Sequence, residues 1–373
     1  MATAPNGTML KNFSRCGIVL LILPLSLTFL CEGELLWEHT PGKSPQDIFD
    51  YIVFSDAVYG VGISGDVWKS TDAVSWEQIS AADSWTELRV EYGLVDFHGK
   101  IWVLGGYGWG NDVCGTSAYT ENGSVWVEDT DIYFPLRYGH KTVVFNDAIW
   151  SFGGTVEHYE LYSEAEIGEW YPVFANTNEI FKSTDGFNWD YIGETEWPTW
   201  NSPKIIVFNN QMWAFSSVVP TRDKQEVWRS SDGIHWENVT ESAPWCGRKY
   251  IDSLVYNNEI WIIPGLSASR QDVWISGNGE DWNMIPNRIP WPGPFGTPYV
   301  FNGKIWFQQT VIQSYSNDIW SLSSVKEKSA SYATFHSADS QFNGKISLNE
   351  LLRVVQFFNS GGYGCGDCTE DGY

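Results

Sequence analysis

One hairpin element occurs six times along this chain of 373 residues. Each copy has two apolar segments around a two-residue polar turn. The copies are VFSDAVYGV (53–61), DFHGKIWVL (96–104), VFNDAIWSF (144–152), VFNNQMWAF (207–215), VYNNEIWII (255–263) and VFNGKIWFQ (300–308). The turns Asn-Gly, Asn-Asp and Asn-Asn tolerate the positive φ angles that a tight turn between two strands requires. Such a repeat constrains the fold strongly, because every copy must form the same structural unit.

A second element follows the hairpins, with the kernel Ser-x-[Asp/Asn]-[Gly/Ala]-x-x-Trp. It occurs as DVWKSTDAVSW (66–76), EIFKSTDGFNW (179–189), EVWRSSDGIHW (226–236) and DVWISGNGEDW (272–282), and more loosely as DVCGTSAYTENGSVW (112–126). The Asp or Asn side chain closes a turn on its own backbone, and Gly adopts the left-handed conformation. We therefore expect a third strand, a turn and a fourth strand. Each repeat becomes a four-stranded antiparallel unit of about 45 residues, typical of a propeller blade.

The sixth repeat lacks its fourth strand, because NDIWSLS (317–323) is not followed by a Trp-containing segment. Near the N-terminus, LLWEHTPG (35–42) has the form of a fourth strand and no partner close to it in sequence. We predict that this segment is the outer strand of the last blade and closes the ring. The expected fold is all-β, a six-bladed propeller over residues 35–327. The 22 Trp and 35 Gly suit pleated sheets joined by turns.

These repeats resemble kelch-type propellers, such as those of secreted bacterial kelch-like proteins and the central domain of galactose oxidase. The resemblance rests on VVFNDAIWSFGG (143–154), the NDVW-type strands and PLRYGH (135–140), and it covers most of the mature chain. The Ser-x-Asp-Gly-x-x-Trp turn is also similar to the sialidase Asp-box. The resemblance implies extracellular recognition of a carbohydrate or protein ligand. It also implies two enzymatic alternatives, a galactose oxidase-like copper oxidase and a sialidase-like glycosidase.

Neither enzymatic alternative finds its full set of residues in the sequence. The segment NRIP (287–290) imitates a sialidase motif but aligns with TESAP (240–244), an ordinary connector in the previous repeat. A copper site of the galactose oxidase kind needs two Tyr and two His, and His336 is the only His after residue 235. Hydrolysis by paired carboxylates stays open, because 46 acidic residues offer many pairs. We favour a non-enzymatic protein.

Residues 1–33 have the pattern of a secretory signal peptide. Lys11 and Arg15 precede the apolar run IVLLILPLSLTFL (18–30), and CEG (31–33) ends in a small residue. The apolar run is short for a membrane span. The formal net charge of −24 argues against nucleic acid and anionic membranes as partners. We predict a secreted protein, extracellular or at the cell surface. The states of Cys114, Cys246, Cys365 and Cys368 stay open.

The face of the ring opposite the short turns is the candidate ligand-binding face. It carries the loops after the second strands and the connections between blades, which vary most in length. The candidate ligand-binding residues are Arg89, Trp109, Arg137, His140, Trp170 and Arg248. The alternative for the arginines is that they hold neighbouring blades together. For the recurring Trp85, Trp197, Trp245 and Trp291 we favour packing between blades.

The longest interval between repeats contains TVEHYELYSEAEIGEWYPVFAN (155–176). Aromatic side chains beside carboxylates suit a sugar or a cationic group. The alternative is a solvated acidic loop with no ligand.

The tail, residues 328–373, contains DSQFNGKISLNE (339–350), which resembles the calcium-binding loop of an EF-hand. The resemblance implies a Ca²⁺ site with a turn at Gly344, and the implied ligands are Asp339, Gln341, Asn343, Lys345 through its carbonyl, Ser347 and Glu350. The site holds two formal carboxylates, so we expect affinity in the range of roughly 0.1–1 mM. The module is also similar to half of a dockerin. The alternative is that the Asn-Gly turn and a capping box only start a helix.

The segment after this loop has a helical pattern. Its apolar stripe is Leu348, Leu351, Leu352, Val355 and Phe358. We expect helix 348–358 to dock on the propeller or on a partner.

Overall fold

The computed structural model describes residues 17–18, 29–30, 35–40, 45, 48–63, 65–80, 89–108, 113–129, 134–161, 170–200, 203–216, 225–245, 251–263, 272–285, 298–308 and 318–324. Within these ranges every regular element is a strand. No helix of this described part is long and apolar enough to cross a membrane. The predicted calcium loop and the helix after it lie outside the described residues.

The first strands are short. β1 (Gly17–Ile18) and β2 (Phe29–Leu30) pair antiparallel with each other, and β3 (Leu35–Thr40) follows. Blade one contains β4 (Ile48–Phe54), β5 (Ala57–Gly62), β6 (Val67–Ser70) and β7 (Glu77–Ser80). After β8 (Arg89–Val90), blade two contains β9 (Gly93–Phe97), β10 (Lys100–Leu104), β12 (Ser117–Thr120) and β13 (Val127–Asp129). The short β11 (Tyr107–Gly108) of this region pairs with β8.

The remaining blades repeat the same order. Blade three contains β14 (Lys141–Val144), β15 (Ile149–Phe152), β18 (Glu179–Ser183) and β19 (Asp190–Glu194), with β16 (Thr155–Leu161) and β17 (Trp170–Asn176) inserted. Blade four contains β20 (Lys204–Phe208), β21 (Gln211–Phe215), β22 (Val227–Ser230) and β23 (Glu237–Thr240). Blade five contains β24 (Asp252–Tyr256), β25 (Glu259–Ile263), β26 (Val273–Ser276) and β27 (Asn283–Ile285). Blade six contains β28 (Tyr299–Phe301), β29 (Lys304–Gln308) and β30 (Ile319–Ser324).

The N-terminal strand β3 completes blade six. It pairs antiparallel with β30, in a register that places Leu35 opposite Ser324 and Thr40 opposite Ile319. The sheet order is therefore β28-β29-β30-β3, with β3 outermost. The first strands of neighbouring blades contact each other around the ring, including β28 with β4. The predicted all-β six-bladed propeller and its closure by the N-terminal strand are confirmed.

A buried aromatic residue anchors the second strand of each blade. In blades two to six this residue is a tryptophan whose indole N–H donates to the carbonyl oxygen five residues earlier, at the end of the first strand. The five bonds span 2.9–3.3 Å and come from Trp102, Trp150, Trp213, Trp261 and Trp306. Tyr59 is the corresponding residue of blade one and is 2% exposed. In blades two to six the indole is therefore held by a hydrogen bond within its own hairpin.

In blades three, four and five, the turn after the third strand joins the blade to the one before it. In blade three, Asp185 Oδ1 accepts the backbone N–H groups of Phe187 and Asn188, both at 2.8 Å. Gly186 then adopts φ +83°, and a Cβ atom there would lie 2.5 Å from Trp102 Cζ2 of blade two. Gly233 packs on Trp150 and Gly279 on Trp213 in the same way. The absence of a side chain thus lets one backbone turn pack on the preceding blade's indole.

The connectors between blades carry a second set of aromatic contacts. Trp197 follows blade three and meets Trp236 of blade four edge to face, with ring centroids 4.3 Å apart. Trp245 repeats this contact with Trp282 at 4.4 Å. Both connector tryptophans are at most 2% exposed. The prediction that this recurring Trp packs between blades is confirmed for these two. Trp85 and Trp291 lie outside the described residues.

We expect Gly186→Ala to destabilise the protein by about 3 kcal/mol. The φ of +83° is unfavourable for an L-residue, and the methyl group would overlap the Trp102 ring. Gly303→Ala is the matched control, because Gly303 also has positive φ but no atom within 4 Å of its Cβ position, so we expect a loss of about 1 kcal/mol. Urea unfolding of both variants measures the difference. Equal losses would show that the contact with the indole contributes nothing.

The same turns predict how stability falls in acid. Partial burial alone would raise the pKa of Asp72, but the hydrogen bonds from the Ser75 and Val74 N–H groups outweigh it and lower the pKa to about 2. Against the opposing effect of burial, backbone N–H groups and the Asn188 side chain lower the pKa of Asp185. The His235 side chain, followed by backbone N–H groups, lowers the pKa of Asp232 against the same effect. Because these pKa values lie below the unfolded value of about 3.9, their stabilisation is complete above that pH and is lost as pH falls through the folded values.

A triple variant, Asp72→Asn, Asp185→Asn and Asp232→Asn, should therefore lose less unfolding free energy than the wild type between about pH 4 and pH 2. Asparagine makes the same turn, since Asn278 Oδ1 accepts the N–H groups of Glu280 and Asp281 at 2.9 and 2.8 Å. Urea unfolding at a series of pH values tests this. Parallel pH profiles for the two proteins would contradict it.

Candidate functional site

The face opposite the short turns is built from the loops after the second strands and from the blade connectors. Its backbone is tied together: β8 pairs with β11, Gly139 N–H donates to Glu91 O at 2.8 Å, and Tyr138 bridges to Thr155. These links join the connectors on both sides of blade two to the loop regions of blades two and three. We call this surface the variable-loop face.

The inserted segment of blade three is a β-hairpin. β16 and β17 pair antiparallel from Thr155 opposite Asn176 to Leu161 opposite Trp170. The two flanks of this segment thus pair with each other as strands, and its role in binding a ligand stays a prediction. Residues 162–169 lie outside the described part.

Arg89 is buried between blades one and two. Its guanidinium donates to Thr116 O at 3.0 Å and pairs with Glu128 Oε1 at 2.7 Å. The side chain is fully buried in the described structure. Arg89 thus takes the structural role that was the alternative to ligand binding.

Arg137 repeats this arrangement one blade later. It donates to Gly153 O at 2.8 Å, pairs with Glu179 Oε2 at 2.7 Å and lies over the Phe181 ring at 4.5 Å. Burial lowers its pKa, and the contact with Glu179 opposes that shift. A guanidinium that serves three groups of blade three locks that blade to the connector from blade two. Like Arg89, it is occupied within the protein.

His140 is 6% exposed, and its ring centroid lies 5.0 Å from that of Phe134. Burial, together with the positive charges of Arg137 and Lys141, lowers the pKa of His140 to about 3, so the imidazole is neutral at physiological pH. Neither ring nitrogen has a hydrogen-bond partner among the described residues. A buried polar group without a partner is costly in a folded protein.

Three aromatic side chains form a cluster on the variable-loop face. Tyr107 and Tyr138 have centroids 4.8 Å apart, and Phe174 of the inserted hairpin is 6.3 Å from each. Phe174 is 42% exposed. Burial is the largest influence on the Tyr138 hydroxyl and raises its pKa, and the negative charges of Glu91 and Glu157 act in the same direction. We call Tyr107, Tyr138 and Phe174 the aromatic cluster.

Charged residues occupy one position on the first strands of four blades. Asp50, Lys141, Lys204 and Asp252 pair with Val61, Phe152, Phe215 and Ile263 respectively, each two residues after the anchoring aromatic of its second strand. In blade two the same position is Gly93, opposite Leu104. In blade six it falls on Thr297, outside the described residues. First strands line the axis, so these side chains form an axial charge ring at the variable-loop end of the channel.

Charges of this ring act on each other across the channel. Lys204 Nζ pairs with Asp252 Oδ1 at 2.7 Å, and Asp252, followed by Asp50, raises the pKa of Lys204 against the opposing effect of burial. Blades one and four face each other in a six-bladed ring, so Asp50 reaches Lys204 through the channel. For Lys141, burial and then the ammonium of Lys204 lower the pKa, against the effect of Asp50 and Asp252.

The predicted ligand-binding residues differ in their positions and contacts. The structure brings Arg137 and His140 close to the aromatic cluster and the charge ring. It places Arg89 in its own interblade ion pair. Trp109 and Arg248 lie outside the described residues, and only the backbone of Trp170 is described. Their roles stay predictions, as do those of the six calcium-loop residues. Among the described residues no group of three or more His, Cys, Asp or Glu side chains could hold a metal ion.

Comparison with known proteins agrees with this architecture. A scan against protein-family models found no match, and neither did a search of the curated proteins. Among solved structures, the chain is similar to the one titled "Structure of YjhT", with a TM-score of 0.56 and 15% sequence identity over 75% of this chain and 95% of that chain. Likeness at this identity concerns the fold alone. The protein is a six-bladed β-propeller.

Proposed function

We propose that this protein is a secreted, non-enzymatic, kelch-like propeller that binds a ligand outside the cell through its variable-loop face. The observation that carries the proposal is the aromatic cluster, in which the exposed Phe174 lies opposite Glu157 in the inserted hairpin and the negative charge of Glu91 acts on Tyr138. Aromatic faces pack on the apolar side of a sugar ring, and carboxylates accept hydrogen bonds from its hydroxyl groups. A carbohydrate therefore fits this surface better than an apolar protein patch.

The neighbourhood of the cluster supports recognition of a polar ligand. Glu91 is reached by solvent although protein surrounds much of it, and this burial raises its pKa. Its backbone has φ +55°, a strained conformation that the hydrogen bond from Gly139 helps to hold. A few fixed polar groups beside aromatic rings are typical of ligand sites.

We expect Phe174→Ala to weaken carbohydrate binding about tenfold, because it removes the exposed ring of the cluster. Tyr191→Ala is the matched control: Tyr191 is also exposed, at 56%, but lies on the outer strand of blade three. Binding of both variants to an array of neutral and acidic oligosaccharides, followed by calorimetry on the best glycan, measures the effect. Equal losses, or none for Phe174→Ala, would contradict the proposal.

The same experiment addresses the enzymatic alternative. A binding protein leaves the glycan unchanged, whereas a glycosidase or copper oxidase releases a product. Mass spectrometry of the glycan after incubation decides between them. A product whose formation stops on loss of a single acidic residue would replace the binding function by a catalytic one.

We further propose that the tail binds calcium through Asp339, Gln341, Asn343, Lys345, Ser347 and Glu350. The spacing of these oxygen donors around Gly344 supports it. Protein purified from the medium without chelator and dialysed against millimolar calcium should hold about one calcium per chain.

Elemental analysis should show loss of this calcium in Glu350→Ala and its retention in Asn349→Ala, because position 12 supplies two oxygens and position 11 none. Absence of calcium in the wild type would leave the segment as a helix start only. Stoichiometric copper would favour the oxidase alternative.

A further inference from the structure

One lysine of this protein lies in a cage of three aromatic rings. Lys100 Nζ is 4.3 Å from the ring centroid of Tyr119, 5.5 Å from that of Phe187 and 5.9 Å from that of Trp102. The Trp102 and Tyr119 rings are tilted by 40° with centroids 4.9 Å apart, and Phe187 meets both of them edge to face, at 5.1 and 5.7 Å. The negative charge of the ring faces stabilises an ammonium in such a place. We call these three rings the Lys100 cage.

The aromatic cluster has the same arrangement of rings. Tyr107 and Tyr138 are tilted by 46° with centroids 4.8 Å apart, and Phe174 meets both edge to face, at 6.3 Å with angles of 75° and 70°. Solvent reaches all three rings, because the two tyrosines are half-buried and Phe174 is 42% exposed. In the part of the chain that the structure describes, no lysine or arginine lies over the ring of Phe174 or Tyr138. A cation over these two rings therefore has to come from a ligand.

Two carboxylates lie next to the aromatic cluster. Glu157 is directly opposite Phe174 in the inserted hairpin, so the two side chains are neighbours on the same face. The carbonyl oxygen of Glu91 accepts the N–H of Gly139, the residue after Tyr138, at 2.8 Å. The negative charges of both acids act on Tyr138. Among the described residues neither carboxylate forms a salt bridge, so both are available to a cation at the cluster.

We propose that the aromatic cluster binds the ammonium group of an amino sugar whose amine is free, with Glu91 and Glu157 as its counter-ions. This rests on the proposed function and names the class of carbohydrate for that same site. The rings offer the ammonium the surroundings that Lys100 has in its cage. The net charge of −24 draws a cationic ligand towards the protein, whereas it repels an anionic one.

The small span of the cluster favours an amino sugar over a lysine side chain of another protein. The three ring centroids lie within 6.3 Å of each other, so the apolar face and the ammonium of the ligand must both be met within that distance. In an amino sugar the nitrogen is bonded directly to a ring carbon, and both groups meet the cluster at once. In lysine, four methylene groups separate the ammonium from the backbone.

The test compares cellotriose with the glucosamine trisaccharide of the same linkage. The two differ only in carrying a hydroxyl or an ammonium at one carbon of each unit. Calorimetry on the full chain should show about tenfold tighter binding of the glucosamine trisaccharide, from one cation–π contact and two partly exposed ion pairs. N-acetylation of its amines removes the charge and should remove this gain. Raising the pH through the pKa of the amines should have the same effect.

Glu157→Gln removes one counter-ion and keeps the shape of the side chain. We expect it to weaken binding of the glucosamine trisaccharide about threefold and to leave the affinity for cellotriose unchanged. Adding Glu91→Gln should bring the loss to about tenfold. Glu194→Gln is the matched control, since it makes the same change of charge at an exposed residue of the outer strand β19. A folding defect would lower both affinities, and equal losses for the two trisaccharides would overturn the role of the carboxylates.

The outcomes separate this inference from the proposed function. Equal affinity for cellotriose and the glucosamine trisaccharide would overturn the ammonium site and leave carbohydrate recognition standing. Binding of the peptide Gly-Lys-Gly that depends on Phe174, without binding of any glycan, would overturn both the amino sugar and the carbohydrate function and leave an ammonium site for a peptide. Binding of the glucosamine trisaccharide that is unchanged in the double glutamine variant, or no binding of it at all, would overturn the inference.

Discussion

The packing of a glycine turn on the indole of the preceding blade is the contact on which this propeller depends. In blades two to six, the tryptophan of the hairpin is held by a hydrogen bond to its own first strand. A turn of the next blade packs on this indole at a glycine, as Gly186 does on Trp102. The acceptor side chain at Asp185 holds that turn in shape. Because this contact joins each such blade to its neighbour, repetition of the same glycine turn assembles the hairpins into one ring.

Contacts between successive blades alone would leave the first and last blades without a neighbour on one side, and closure of the ring supplies that neighbour. Blade six has no third turn of its own in the described structure, and β3 is its fourth strand. Trp37 of β3 packs with the cluster that contains Trp261 and Phe307, so blades five and six gain apolar contacts from the N-terminal strand. The ring thereby joins residues far apart in sequence, as in the contact between Glu38 and Lys304, which are 266 positions apart. Closing the ring also removes the free edges that an open array would present.

The sequence predicted the structural features that are formed by residues recurring from blade to blade. The hairpin recurs in all six repeats and the third turn and connector tryptophan in most of them, so one copy supports the interpretation of the others. Closure followed from the one strand that the sixth repeat lacks. The aromatic cluster and the axial charge ring could not be found in this way, because each takes different residues from different blades. One sign of the charge ring is present in the sequence. Each hairpin has an aromatic residue just before its turn, at Phe54, Phe97, Phe145, Phe208, Tyr256 and Phe301, and the residues four positions earlier are Asp, Gly, Lys, Lys, Asp and Thr. The sequence makes Arg89 and Arg137 candidate ligand-binding residues, with an interblade role as the alternative, and their contacts in the structure are of the interblade kind.

The axial charge ring holds two lysines and two aspartates, so its described part is formally neutral although the protein as a whole carries a net charge of −24. Surface charges act over about 8 Å at physiological ionic strength, since salt screens them beyond that distance. A lysine in the channel mouth is shielded from most of them by the blades, while Asp50 and Asp252 on the same ring still act on it. Those two acids keep this end of the channel close to neutral. Short-range pairing within the ring, as between Lys204 and Asp252, therefore affects these charges more than the long-range field of the acidic surface does.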